Sequence, residues 1–158
     1  MTKEELITLL KDYNENNSKL RLRKKEIKNL ENKLNKTELD INISTSFGIN
    51  EDIRSKNQIT DKVGNTIIKV EAEREKIKCR IKDIEEEIIS LQEKVEEAEI
   101  RLNALHYKER EMMIAYYCEN RTTEDISQNL YFKLFNRTCS PRYIRKLIKI
   151  NTERLLKL

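Results

Sequence analysis

The chain has 158 residues, 37% of them hydrophobic and 38% charged, with a formal net charge of +4. That is too polar for one globular core of this length, so extended helices with a small end domain fit better. Two Gly, one Pro and no Trp exclude a turn-rich sheet protein, whose strands need punctuation at every reversal, and the expected fold class is all-α.

The N-terminus opens Met1-Thr2-Lys3-Glu4-Glu5, without the apolar core of a secretion signal, and no window approaches the roughly eighteen apolar residues of a membrane span. A soluble, cytoplasmic chain with no membrane partner is expected. Leu6, Tyr13, Leu20, Ile27, Leu34 and Ile41 are spaced by sevens, with Leu9 and Leu30 filling two of the d positions. The basic run Lys19, Arg21, Arg23, Lys24, Lys25 and Lys28 lies across this seam. It reads as a solvated face opposite acidic residues of a second helix, because Leu20 and Ile27 keep the apolar rhythm through it.

Residues 42–62 lose the period and hold Ser44-Thr45-Ser46-Phe47-Gly48, Asn50, Ser55 and Asn57, which predicts a loop or hinge. The period then returns. Val63, Val70, Ile77, Ile84, Leu91, Ala98 and Leu105 occupy a positions, and Ile67, Arg74, Ile81, Ile88, Val95 and Leu102 occupy d positions, with Arg74 alone breaking the stripe. Such a seam must face a partner helix, and at 1.5 Å per residue it runs roughly 65 Å. The two segments of residues 1–105 match in length. They fit either a long N-terminal helical hairpin, each stripe burying the other, or a parallel coiled coil in a homodimer.

Cys79, Cys118 and Cys139 form no close pair with metal spacing, and an odd number suits no disulfide framework. Reduced, partly buried thiols are expected. His106 is the sole histidine and is placed at a helix junction. With no Gly-rich phosphate loop and no Cys/His partner set, the expectation is a protein that is not an enzyme and takes no cofactor or metal.

Residues 106–158 read as three shorter helices. Lys108-Glu109-Arg110-Glu111 opens the first, with Met112, Met113, Tyr116 and Tyr117 as apolar candidates and Asn120 near its end. Thr122 or Thr123 caps the second, where Glu124 and Asp125 place negative charge in the first turn and Ile126, Leu130 and Leu134 recur at i+4. Asn136 to Cys139 make a turn. Ser140-Pro141 is a helix start, Ser as N-cap and Pro at the first helical position. On the last helix Ile144, Leu147, Ile148, Asn151, Leu155 and Leu158 fall on one side and Arg142, Lys146, Lys149, Glu153 and Lys157 on the other, with Arg145 on a flank and Tyr143 and Ile150 on the opposite shoulder.

Charge follows the same division. Residues 106–158 carry eleven basic and six acidic side chains, and from Arg137 onward seven basic residues stand against the single acid Glu153. A capped helix, a short turn, a Ser-Pro start and concentrated basic charge together make the context of a small C-terminal helix-turn-helix domain. Its partner by chemistry is double-stranded DNA. Arg142, Arg145 and Lys146 suit guanine acceptors in the major groove, with Tyr143 beside them, while Lys149, Arg137 and the amides at Ser140 suit phosphates.

The stretch from Leu105 through Lys108-Glu109-Arg110-Glu111, Tyr116-Tyr117, Glu124-Asp125-Ile126 and Ser140-Pro141-Arg142-Tyr143-Ile144-Arg145 resembles the C-terminal promoter-reading domain of sigma factors. With a long helical N-terminal part it is similar in layout to the phage late-transcription regulators of the RinA/ArpU type, and Phe47-Gly48 resembles an aromatic-Gly pair between that family's helical segments. Tyr131-Phe132-Lys133-Leu134-Phe135 departs from the pattern, lengthening a helix or inserting an element. The resemblance implies a DNA-binding transcription regulator of phage or prophage origin, acting with host RNA polymerase in a bacterial host cell. Two other classes remain open on the residues alone, a structural or scaffolding coiled-coil protein and a nonspecific nucleic-acid-binding accessory protein. Sequence preference and salt dependence separate them.

Overall fold

The computed structural model describes the backbone of residues 1–47 and 56–158 and the side chains of 1–36 and 67–158. All regular structure among these residues is helical. Helix α1 (Lys3–Lys11) starts in a capping box, in which the Thr2 hydroxyl accepts from the Glu5 amide at 3.2 Å while the Glu5 carboxylate accepts from the Thr2 amide at 2.7 Å. Asp12 then opens the turn (ψ −4°) and the chain restarts as α2 (Tyr13–Phe47), so the first heptad run is two helices rather than one. Aspartate's short polar side chain competes with helical backbone bonds, which makes it a natural break.

The second long helix, α3, spans Lys56–Asn103. Helix therefore occupies 42–47 and 56–62, which the sequence reads as loop; Gly48, Asn50 and Ser55 lie outside the described residues. Ser, Thr and Asn cost only about 0.7 kcal/mol or less each against Ala, and a helix already nucleated propagates through such residues.

The chain divides into two compact units, Arg21–Ile89 and the pair of segments Met1–Leu20 with Ser90–Leu158. In the Arg21–Ile89 unit the heptad seam is seen as burial: Ile84 and Ile88 are buried, and Val70, Arg74, Ile77, Ile81, Ile27, Leu30 and Leu34 are half-buried. Arg23 Nε meets Glu87 at 2.7 Å and Arg80 meets Glu26 at 3.2 Å. As the α2 partner advances from 23 to 26 the α3 partner retreats from 87 to 80, an antiparallel register. The acidic residues expected opposite the basic run are thus represented by Glu87. These pairs are half-exposed, and solvent screening limits what each adds to stability.

The other unit holds the main core. After α3, His106 stands at the N-cap of α4 (Tyr107–Met113) without a side-chain capping bond, and α4 widens into a π turn over Ile114–Cys118. Thr122 caps α5 (Thr123–Asp125), its hydroxyl accepting from the Asp125 amide at 3.2 Å. The helix continues through a second π turn, Ile126–Leu130, into α6 (Tyr131–Phe135), so the Tyr131–Phe135 segment lengthens this helix. Asn120 and Asn136 close these stretches at φ 54° and 53°, in the left-handed region that Asn tolerates better than most residues. Last comes α7 (Pro141–Leu155), capped by Ser140.

Leu6 and Leu10 of α1, Leu102 and Leu105, Met112, Met113, Ala115 and Tyr117, Ile126, and Ile144, Ile148 and Leu155 of α7 form one buried cluster. The boundary expected at residue 105 falls inside this unit. Leu10 occupies no a or d position of the expected seam, yet it is fully buried. Leu158, expected on the apolar face of the last helix, is 69% exposed because α7 ends at Leu155. Cys118 is buried and Cys139 half-buried, whereas Cys79, expected partly buried, is exposed on α3. No described helix is long and apolar enough to cross a membrane.

Candidate nucleic-acid interface

Two sequence choices hold α7 in place before any function enters. Ser140 adopts an extended conformation and its hydroxyl accepts from the Tyr143 amide at 3.3 Å, with Pro141 following at the first turn. Along the helix Ile144, Ile148 and Leu155 are buried, as are the polar Asn151 and Thr152. The Thr152 hydroxyl donates to the Ile148 carbonyl at 2.8 Å and lies 3.2 Å from the Tyr117 hydroxyl. Arg101 at the end of α3 donates to the Leu155 carbonyl at 2.8 Å, satisfying a C-terminal acceptor of α7. These contacts fix both the rotation and the ends of the helix.

With one face committed to the core, the opposite face is left to solvent. Arg142, Tyr143, Arg145, Lys146 and Lys149 are exposed, and with Ser140 they line a single open groove of about 540 Å³. Six of the seven residues expected to touch DNA are therefore brought together. Arg137 is not one of them; it is exposed in the turn before α7 and does not line the groove. The helix start offers fewer amides to an anion than the sequence suggests, because Pro141 has none and that of Tyr143 goes to Ser140. An anion at this helix start would meet mainly side chains.

Tyr143 stands between this groove and a second, smaller one lined by His106, Lys108, Glu109, Met112, Tyr131, Phe135 and Leu147. Its ring meets Tyr131 edge-on at 6.1 Å, and Tyr131 stacks on Phe135 at 4.4 Å. The lengthened helix thus supplies aromatic support for the first turn of α7. Tyr143 is still 44% exposed, so it serves both as packing and as groove wall.

Thr123 and Glu124 belong to the site although the sequence marks Glu124 only as first-turn charge. Arg145 donates from Nε to the Thr123 hydroxyl at 3.3 Å and from Nη2 to Glu124 at 3.1 Å, and Thr123 donates to the other Glu124 oxygen at 3.1 Å. The Glu124 carboxyl is held below its ordinary range, first by its own backbone amide, then by the Thr123 hydroxyl, with Arg145 adding to both. Sequence spacing could not find this contact, since Glu124 and Arg145 lie 21 residues apart and only the packing of α5 on α7 brings them together. Among the described residues Arg142, Lys146 and Lys149 make no ion pair. The groove therefore holds one tethered cation and three without a carboxylate partner.

Among the described residues no cluster of His, Cys, Asp or Glu is grouped to hold a metal ion. No protein-family model, curated protein or solved structure matches the chain significantly.

Proposed function

We propose that this chain is a sequence-specific, double-stranded-DNA-binding transcription regulator that inserts α7 into the major groove. The observation that carries the reading is the division of α7 itself: Ile144, Ile148 and Leu155 are locked in the core while Arg142, Arg145, Lys146 and Lys149 line one open groove. A recognition helix needs this division, because base reading requires a rigid helix presenting donors outward. Arg142, Arg145 and Lys146 lie nearest the helix start and contact base edges; Lys149, one turn on, contacts phosphate. The sequence resemblance extends the proposal to a phage or prophage regulator acting with host RNA polymerase in the bacterial cytoplasm, the paired helices serving polymerase contact or homodimerisation.

The test is selection of the full chain against a random duplex library at two salt concentrations. A motif that stays enriched at the higher salt is the expected result. Salt-sensitive retention without enrichment identifies a nonspecific nucleic-acid binder. No retention at either salt overturns DNA binding and leaves a scaffold.

A further inference from the structure

Arg145 enters the basic groove already held on one side. A guanidinium has two faces able to make paired hydrogen bonds, a side-on face formed by Nε and Nη2 and an end-on face formed by Nη1 and Nη2. In this chain the side-on face is occupied, Nε by the Thr123 hydroxyl at 3.3 Å and Nη2 by the Glu124 carboxylate at 3.1 Å. Only the end-on face is left for a ligand. We propose that Glu124 is a specificity-determining positioning residue, which with Thr123 aims the end-on face of Arg145 at a guanine edge and keeps Arg145 from serving as a phosphate contact. The proposal rests on the DNA-reading assignment above and names a residue on a different helix from the one that enters the groove.

Two physical effects act together. First, the tether orders a long side chain before binding, so less freedom is lost when its remaining donors meet the O6 and N7 acceptors of guanine. Second, Glu124 places a carboxylate beside the guanidinium, the two side chains being 55% and 66% exposed and open to solvent. A phosphate approaching Arg145 meets that negative charge, whereas the acceptors of guanine, which carry only partial charge, are penalised less by it. The other cations of the groove, Arg142, Lys146 and Lys149, lack such a partner among the described residues, and of these Lys149 supplies the phosphate contact that Arg145 does not. Discrimination thus comes from a repulsive element as well as from an attractive one.

The test compares full-length wild type, Glu124→Gln and Arg145→Lys on the selected duplex and on a scrambled duplex of equal length, at about 50 and about 200 mM salt. Glu124→Gln frees Arg145 for phosphate, so it binds the scrambled duplex more tightly than wild type does. Its affinity loss over the fourfold salt rise grows by about 3.5-fold, as one added phosphate contact requires. Its preference for the selected duplex falls. Arg145→Lys keeps the charge but lacks the fork, so it loses preference for guanine at one position while retaining salt sensitivity. An unchanged salt slope in Glu124→Gln, or an equal shift on both duplexes, overturns the proposal and leaves Glu124 a structural partner. Should Glu124→Gln fail to fold, as judged by circular dichroism, Arg145→Lys decides, and an undiminished guanine preference overturns the proposal. Wild type that binds DNA without enriching any motif fails the sequence-specific reading itself, an outcome distinct from failure of the variants alone.

Discussion

Arg142 and Lys149 line the same groove at different points along α7, Arg142 in its first turn and Lys149 two turns on, and the proposed function gives them different work. Replacing Arg142 by Ala is expected to relax sequence preference at one position, by about 1–3 kcal/mol of discrimination. Lys149→Ala is expected to weaken all duplexes alike and lower the salt slope by about 1. Titration of each variant on selected and scrambled duplexes separates the two effects. Inside the unit, burial holds the Cys118 thiol up from 9.0 to about 11, with Glu119 adding to the rise. A group whose folded value is raised contributes stability that is complete below the unfolded value and lost as pH climbs to the folded one. Thermal stability is therefore expected to decline from pH 9 to about 11, and Cys118→Ala to flatten that decline relative to wild type in melts across the same range. Burial raises the half-buried Cys139 thiol in the same direction.

Among the elements, helix caps are the most legible features. Ser140-Pro141 marks the start of α7 because a short hydroxyl and a fixed φ are local properties, and the hydroxyl indeed accepts from Tyr143. Ser140→Ala is expected to cost about 1 kcal/mol, measured as a shift in the denaturant midpoint with unchanged slope, and to weaken DNA binding by fraying the first turn. The apolar seams were equally legible, since a seven-residue period survives any rotation of the helix pair. Helix over 42–47 and 56–62 was not legible, because clustered Ser, Thr and Asn report only weak local preference. Nor were the π turns at Ile114–Cys118 and Ile126–Leu130, where one backbone bond per turn changes partner without a distinctive residue type.

The sequence boundary at residue 105 falls inside the larger of the two compact units, Met1–Leu20 with Ser90–Leu158. Leu6 and Leu10 of α1 share one buried cluster with Ile144, Ile148 and Leu155 of α7, from opposite ends of the chain. Leu10→Ala is therefore expected to destabilise this unit by about 2–5 kcal/mol, despite lying far from the basic groove in sequence. Residues 106–158 alone lack Leu6, Leu10, Leu102 and Leu105 from that cluster. The isolated fragment is expected to show helical circular dichroism without a cooperative melt, and to bind duplex DNA more weakly than the full chain. A sharp melt of the fragment would show that α7 does not depend on α1.

Properties that depend on near neighbours are readable along the chain: helical class from periodicity, helix starts from capping residues, and the basic character of the last helix from its composition. Tertiary packing alone decided which side chains meet across long separations. It drew Leu10 into the core, left Leu158 outside it, and set Thr123 and Glu124 against Arg145. The physical reason is that a residue's chemistry and its helical face are local, whereas the partner it finds depends on how separate helices bury one another's apolar stripes.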